Sequence, residues 1–391
     1  MQLTKYRLWI LIALVFISGF SQGMLLPLIS IILEQNGVAS SINGLHATGL
    51  YIGVLIASPF MEKPMRKFGF KPMIFVGGLL VILSLAIFPV WESLWFWFIL
   101  RLIIGIGDQM LHFGTQTWIT ATATAETRGR SIALYGLSFG AGFAIGPLMT
   151  RLLSIHQSVP FLASAALSFT VWLLLFFLRN QWPEQSVDPV YPTSSMQRFK
   201  QTFKIAWIAM LPGFGYGFLE ASLHSIFPIY GLRIGHDVHT LSLIIPCFAA
   251  GSLITQFPLG ALSDKFGRRS VLITVLSLGS LCFLFTAILE SSALALFILF
   301  TLAGMCVGSL FSLGISYMTD LLAGNLLPAG NLMVGIMFSV GSISGPFIGG
   351  YFIDVFERVS FFYFISFILM LITVAMLVKK NTQHETNRVG T

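Results

Sequence analysis

Long apolar runs separated by short polar clusters make up most of the 391-residue sequence. The runs extend over Trp9 to Leu33, Ile42 to Met61, Pro72 to Val90, Leu94 to Ala123, Ser131 to Leu153 and Val159 to Leu178. After a polar stretch they resume over Ile205 to Leu232, Thr240 to Leu262, Val271 to Leu289, Ala293 to Thr319, Ala329 to Ile353 and Ser360 to Val378. A helix needs about 20 mostly apolar residues to cross a bilayer, so each run is a candidate span. The pattern predicts an all-α polytopic membrane protein with 12 transmembrane helices in two six-helix halves. The stretch Arg179 to Lys204 carries Pro183, Pro189 and Pro192 among Ser, Gln and basic residues, and it reads as a linker. The expected organisation is a bundle over 1–178, a cytoplasmic linker over 179–204, a second bundle over 205–378 and a cytoplasmic tail over 379–391.

Composition excludes a soluble globular protein. Charged residues are 9% of the chain and hydrophobic residues 56%, against a usual charged share of about 25%. The net charge of +7 does not indicate nucleic acid, because the basic residues lie in short runs between apolar segments. With the N-terminus in the cytoplasm, 18 of the 22 Lys and Arg fall on the cytoplasmic side, as the positive-inside rule requires. The exceptions are Arg151, Arg233 and Arg358 at outer loops or helix ends, and Arg101 inside the fourth span. The implied setting is the cell membrane, multi-pass, with both termini cytoplasmic. Cys247, Cys282 and Cys306 lie inside apolar stretches and are odd in number, which argues against a disulfide framework. The basic start followed by an apolar run of about 25 residues is too long for a cleaved leader and reads as the first helix.

The two halves repeat each other. Gly142 to Pro147 in span five recurs as Gly341 to Pro346 in span eleven, an offset of 199 (345 less 146). The loop from Arg66 to Lys71 after span two recurs as Asp264 to Arg269 after span eight, an offset of 198 (264 less 66). Internal duplication of this kind is a mark of transporters whose halves are related by an axis along the membrane normal.

These residues resemble the major facilitator superfamily over essentially the whole chain. The stretch Gly260-Ala-Leu-Ser-Asp264-Lys265-Phe266-Gly267-Arg268-Arg269 is similar to the family's loop motif. Arg101-Leu-Ile-Ile-Gly105-Ile-Gly107 resembles its fourth-helix motif, with Ile104 where many members have Gln. The stretch ending Gly146-Pro147 resembles the fifth-helix motif of proton antiporters, although Met149-Thr150 replaces the closing glycine pair. Gly345-Pro346-Phe347-Ile348-Gly349-Gly350 is the fuller version. The resemblance implies the superfamily fold and transport by alternating access, with the efflux branch as the nearer match. Bottom-up, small residues four apart permit close backbone approach and proline bends a helix. Gly146-Pro147 and Gly345-Pro346 are therefore candidate pivots, with plain helix packing as the alternative.

Of 15 acidic residues, Asp108 and Glu220 alone sit deep in apolar spans. A charge at the bilayer centre costs about 2.5–3.5 kcal/mol on an insertion scale, so such groups face a cavity or a partner. Arg101, Gly105, Asp108, His112 and Thr115 share one face of span four, and Tyr216, Glu220 and His224 share one face of span seven. Each half thus offers an acid with a histidine one turn away. Gln22 could line the same cavity, along with Tyr51, Gln109, Gln116, Gln256 and Asn331. The competing bland reading is a static ion pair of Arg101 with Asp108 and histidines bonded to backbone carbonyls.

In the fold that the resemblance implies, each loop motif meets the opposite half. Arg66 stands where the family usually has Asp, and Asp264 with Arg268 keeps the pattern. The charges predict a latch of Arg66 with Asp320 and another of Asp264 with Arg128 or Arg130, closing the cytoplasmic side. The functional expectation is proton-coupled export of small amphipathic compounds. The alternatives are a proton symporter importing a small polar metabolite or sugar and, from a different class, a membrane-embedded enzyme or sensor. No phosphate loop or His-Glu-x-x-His zinc pair is present in the sequence, so neither enzyme activity, cofactor nor metal is expected. The expected partners are a small-molecule substrate, protons and the lipid bilayer, not nucleic acid, with the monomer as the working unit.

Overall fold

The computed structural model describes residues 5–183 and 195–379, and all regular structure among them is helical. Spans 1 to 6 are Lys5–Gln35, Ser40–Ala57, Phe70–Ile87, Leu94–Thr122, Ala125–Ile145 and Val159–Trp172. Spans 7 to 12 are Ser195–Arg233, Val238–Phe266, Arg268–Leu289, Ala293–Val307 continued by Leu310–Leu321, Leu327–Val355 and Phe361–Val378. Ten helices among the described residues are long and apolar enough to cross a membrane, and the bent pair Ser40–Phe60 with Glu62–Phe68 makes an eleventh. Span 7 is longer than any of them, at 39 residues, but Glu220, His224, Pro212 and Pro228 dilute its apolar character.

The end of the expected linker is itself helical: a helix starts at Ser195 and meets the body of span 7 across a non-helical turn at Ala206. The stretch Gln197 to Lys204 holds no proline or glycine and several good helix formers, so nothing stops the helix there. The linker's middle and the chain beyond 379 lie outside the described residues. Its first residues are stitched to the N-terminal half. Gln181 Oε1 accepts from Arg7 Nη1 at 2.6 Å and from Trp118 Nε1 at 2.8 Å, and its carbonyl accepts from Phe70 N at 2.9 Å.

The duplication is legible in the backbone. The non-helical turns with positive φ fall at Gly37, Gly69, Gly235 and Gly267, two pairs separated by 198 residues (235 less 37, 267 less 69). At Gly69 a Cβ would also strike Asn180 and the Gln181 carbonyl. Lys71 Nζ donates to the Leu178 carbonyl at the end of span 6, and Arg269, 198 residues later, donates to the Met376 carbonyl at the end of span 12. Each half therefore closes its last helix with a cation from its own second loop, on carbonyls the helix leaves unpaired.

Glycines set the packing inside each half. Gly19 and Gly23 of span 1 lie against the Phe139 and Phe143 carbonyls of span 5, while Gly142 and Gly146 lie against Phe16 and Phe20 of span 1. In the second half Gly217 meets Phe338, and Gly341 and Gly345 meet Phe214 and Phe218. A Cβ at these positions would sit 2.0–2.5 Å from a carbonyl oxygen, so only glycine permits the approach. Gly146 and Gly345 thus act within their own halves. Span 5 turns into a 3-10 helix at Gly146-Pro147, whereas span 11 runs on as an α-helix through Pro346. The halves meet through spans 2 and 11, 1 and 7, and 5 and 8.

Candidate translocation site

Three helices, spans 2, 4 and 7, bring titratable groups to the join between the halves. Arg101 on span 4 is fully buried, and its Nη2 donates to the Leu25 carbonyl at 3.2 Å while Nε and Nη1 have no partner. Tyr51 on span 2 lies within electrostatic reach of both Arg101 and Glu220, and Tyr216 within reach of Glu220 and Tyr51. Glu220 is 9% exposed and takes part in no ion pair with the described residues. His224, one turn along, donates from Nδ1–H to its own helix's Glu220 carbonyl, 2.8 Å away, and its buried Nε2 is unpartnered. The His224 ring packs on Phe143 of the other half at 4.4 Å between centroids. Tyr216 adds an aromatic wall with Phe338 and Phe311. Tyr51 was a secondary candidate in the sequence, and Phe143 gave no signal at all.

Asp108 is placed differently. It lies about 10 Å along span 4 from Arg101 at 1.5 Å per residue, and no ion pair joins them, so the static pair is not formed. Ser18 Oγ of span 1 donates to Asp108 Oδ1 at 2.6 Å and lies 3.0 Å from His112 Nε2; His112 Nδ1 is 2.7 Å from the Tyr135 hydroxyl of span 5. An ionised carboxylate can only accept. Ser18 then accepts from His112 Nε2–H, and Tyr135 donates to Nδ1, so the whole row of donors points at Asp108. Gln22 of span 1 also faces this carboxylate, whose buried Oδ2 makes no well-formed hydrogen bond. Asp108 and His112 therefore belong to the interior of the first half, and Glu220 and His224 to the join between halves.

The two ends of the bundle differ as well. At the end away from the chain termini, Arg233 of span 7 reaches Glu34 of span 1 at 2.8 Å, Asp354 of span 11 at 3.5 Å and the Ser40 hydroxyl at 2.5 Å. Asp354 also accepts from the Ser40 and Ser41 amides at 3.1 and 2.7 Å, capping span 2 across the halves. Arg151 Nε donates to Ser242 Oγ at 2.8 Å between spans 5 and 8. Gly44 faces the Pro346 carbonyl and Gly350 the Ser40 carbonyl, so spans 2 and 11 touch backbone to backbone.

At the basic end the ion pairs of the described residues stay within a half. Arg66 is paired with Glu62 at 2.6 Å. Asp320, the expected partner of Arg66, accepts instead from Arg268 at 2.7 Å, and Asp264 is 3.0 Å from Arg268. Arg268, of the same bundle as both carboxylates, thus holds Asp264 and Asp320 in this state, and the latches expected for a closed cytoplasmic side remain a proposal for the opposite state. Arg130 is exposed; the Arg128 side chain lies outside the described residues.

The sequence matches the description Major Facilitator Superfamily over residues 11–237 and again over 213–390. It is 54% identical over 378 residues to the MFS-type transporter YfkF of Bacillus subtilis (strain 168), covering 97% of this chain and 96% of that one. It is 24% identical over 386 residues to Multidrug resistance protein 1 of the same organism, covering 97% of each. Among solved structures the nucleoside transporter NupG superposes with a TM-score of 0.76 at 15% identity, over 96% of this chain and 100% of that one.

Proposed function

Because the chain belongs to the major facilitator superfamily, we propose that it is a secondary transporter of the cell membrane that exports small amphipathic compounds in exchange for protons. The observation that carries this reading is Glu220, a carboxyl at the join of the halves with no ion-pair partner and a small exposed edge. A carboxyl at an interface that parts and closes as the halves rock is placed to take up a proton from one side and give it to the other. The neighbouring aromatic wall of Tyr216, Phe311 and Phe338 suits an apolar body. The relative named Multidrug resistance protein 1 supports export as the direction.

In this reading the basic end is cytoplasmic and the Arg233 cluster closes the outer side. The cell's potential then drives the cycle: one proton moved down 100 mV supplies about 2.3 kcal/mol, enough for a gradient of about fifty-fold in a neutral substrate at one-to-one exchange. The Nε and Nη1 of Arg101, buried without a partner, favour a second reading, import of a polar or anionic metabolite with a proton. Direction separates them. In proteoliposomes with an imposed pH gradient, an amphipathic fluorescent compound is expected to move opposite to the protons. Movement of a polar metabolite with the protons, and none of the dye, would replace export by symport. Accumulation that survives collapse of both pH gradient and potential would exclude proton coupling.

A further inference from the structure

The first half holds a small, partly open cavity between spans 1, 3, 4 and 6. Asp108, Ser18, Ser21 and Ser168 supply its polar lining, with Gly78 and Trp172 among the apolar walls. Its free space is about that of one water molecule. Asp108 is 0% exposed, and its Oδ2 has no hydrogen-bond partner. Ser18 Oγ is 2.6 Å from Oδ1, and Ser21 Oγ is 3.1 Å from Ser168 Oγ and 3.3 Å from Ser164 Oγ. One turn of span 1 therefore presents two oxygen pairs to the same small space, and Gln22 follows directly after Ser21.

We infer that this cavity is a binding site for a small monovalent cation, Na+ in size, ligated by Asp108, Ser18, Ser21 and Ser168. The donor set is all oxygen, which suits a hard cation and not a transition metal. Charge decides the valence. One carboxylate and neutral hydroxyls are balanced by a single positive charge, whereas a divalent ion would leave an uncompensated charge in a medium where that is expensive. The groups facing Asp108 from the surrounding helices are Ser18 and Gln22 of span 1, His112 of its own span, and Tyr135 of span 5 through His112. None is a fixed cation, and Arg101 is two turns away. A hydrogen-bond row that points its donors at Asp108 Oδ1 leaves Oδ2 for the ion.

This site is independent of the proton role given to Glu220, and its test does not need transport. The purified protein in detergent is heated in NaCl, KCl or choline chloride at constant ionic strength. NaCl is expected to raise the unfolding midpoint saturably, by about 2–4 °C, with little effect of the other salts. Asp108→Asn is expected to remove the shift, and Ser168→Ala to raise the half-saturating Na+ at least tenfold; Glu220→Gln is expected to keep it. Should Asp108→Asn fail to fold, the double variant Ser21→Ala, Ser168→Ala carries the same prediction. Equal effects of the three salts would overturn the site. So would a Na+ shift that survives in the cavity variants, or one lost in Glu220→Gln and kept in Asp108→Asn. Loss of proton-driven transport in Glu220→Gln with the Na+ shift intact leaves the two readings standing separately.

Discussion

Asp108 and Glu220 are the two carboxyls deep in the spans, each with a histidine one turn on, yet the halves use the same pair of residue types in opposite ways. Asp108 is enclosed within one bundle, with Ser18, His112 and Tyr135 arranged as donors toward it. Glu220 stands where two bundles meet, its histidine spent on a backbone carbonyl and its carboxylate without an ion-pair partner. A group that keeps its surroundings as the bundles rock suits a resident ion, and one whose surroundings change suits a proton that comes and goes. Burial alone does not distinguish these; the partners do.

The largest effect is expected from removing the titrating group at the join. Glu220→Gln should lower gradient-driven transport in proteoliposomes at least a hundredfold while leaving exchange without a gradient measurable. Tyr135→Phe, which breaks the row behind Asp108, should lower it less than tenfold, and equal losses would erase the distinction between the halves. Next come the glycines at the contact of spans 2 and 11. Gly350→Leu places a side chain where the Ser40 carbonyl lies, so the closed end should open. A cysteine introduced at Ser41 should then react with a membrane-impermeant maleimide several times faster than in the parent. Unchanged labelling would show that spans 2 and 11 do not part.

A smaller effect belongs to the Arg233 cluster. Arg233→Glu should increase the same labelling about two- to fivefold, and adding Glu34→Arg should restore part of it, since a partly exposed pair is worth about 1 kcal/mol or less. Additive effects of the two changes would remove the latch. The smallest expected change compares the two loop cations that close spans 6 and 12. Lys71→Ala and Arg269→Ala should each cost about 0.3–1 kcal/mol of stability, read as a fall in unfolding midpoint. A loss in one alone would show that the duplication is not kept at this contact.

Much of the fold was legible in the sequence because apolar length and glycine pattern are local signals. The repeated loops and the Gly-Pro pairs at offsets of 198 and 199 gave the two halves before any contact was known. The helix ahead of span 7 was not legible because hydropathy drops before Ile205 although helix propensity does not, and the two meet across the kink at Ala206. At the candidate sites, depth marked Asp108 and Glu220, but their partners come from other helices. Ser18 is 90 residues from Asp108, and a serine in an apolar run carries no periodic signal. Arg233 looked like a stray charge on the sparse side, since its partners Glu34 and Asp354 lie 199 and 121 residues away. The expected pairing of Arg66 with Asp320 rested on charge complementarity alone, and in this state Arg268, in the same half as Asp320, holds that carboxylate.

Which carboxyl gains and loses a proton can be read without a substrate. In pH-titrated infrared difference spectroscopy of the purified protein in NaCl, a protonated-carboxyl band should titrate in the parent and in Asp108→Asn, and be missing from Glu220→Gln. A band kept in Glu220→Gln and lost in Asp108→Asn would place the coupling proton in the first half and contradict the assignment to Glu220.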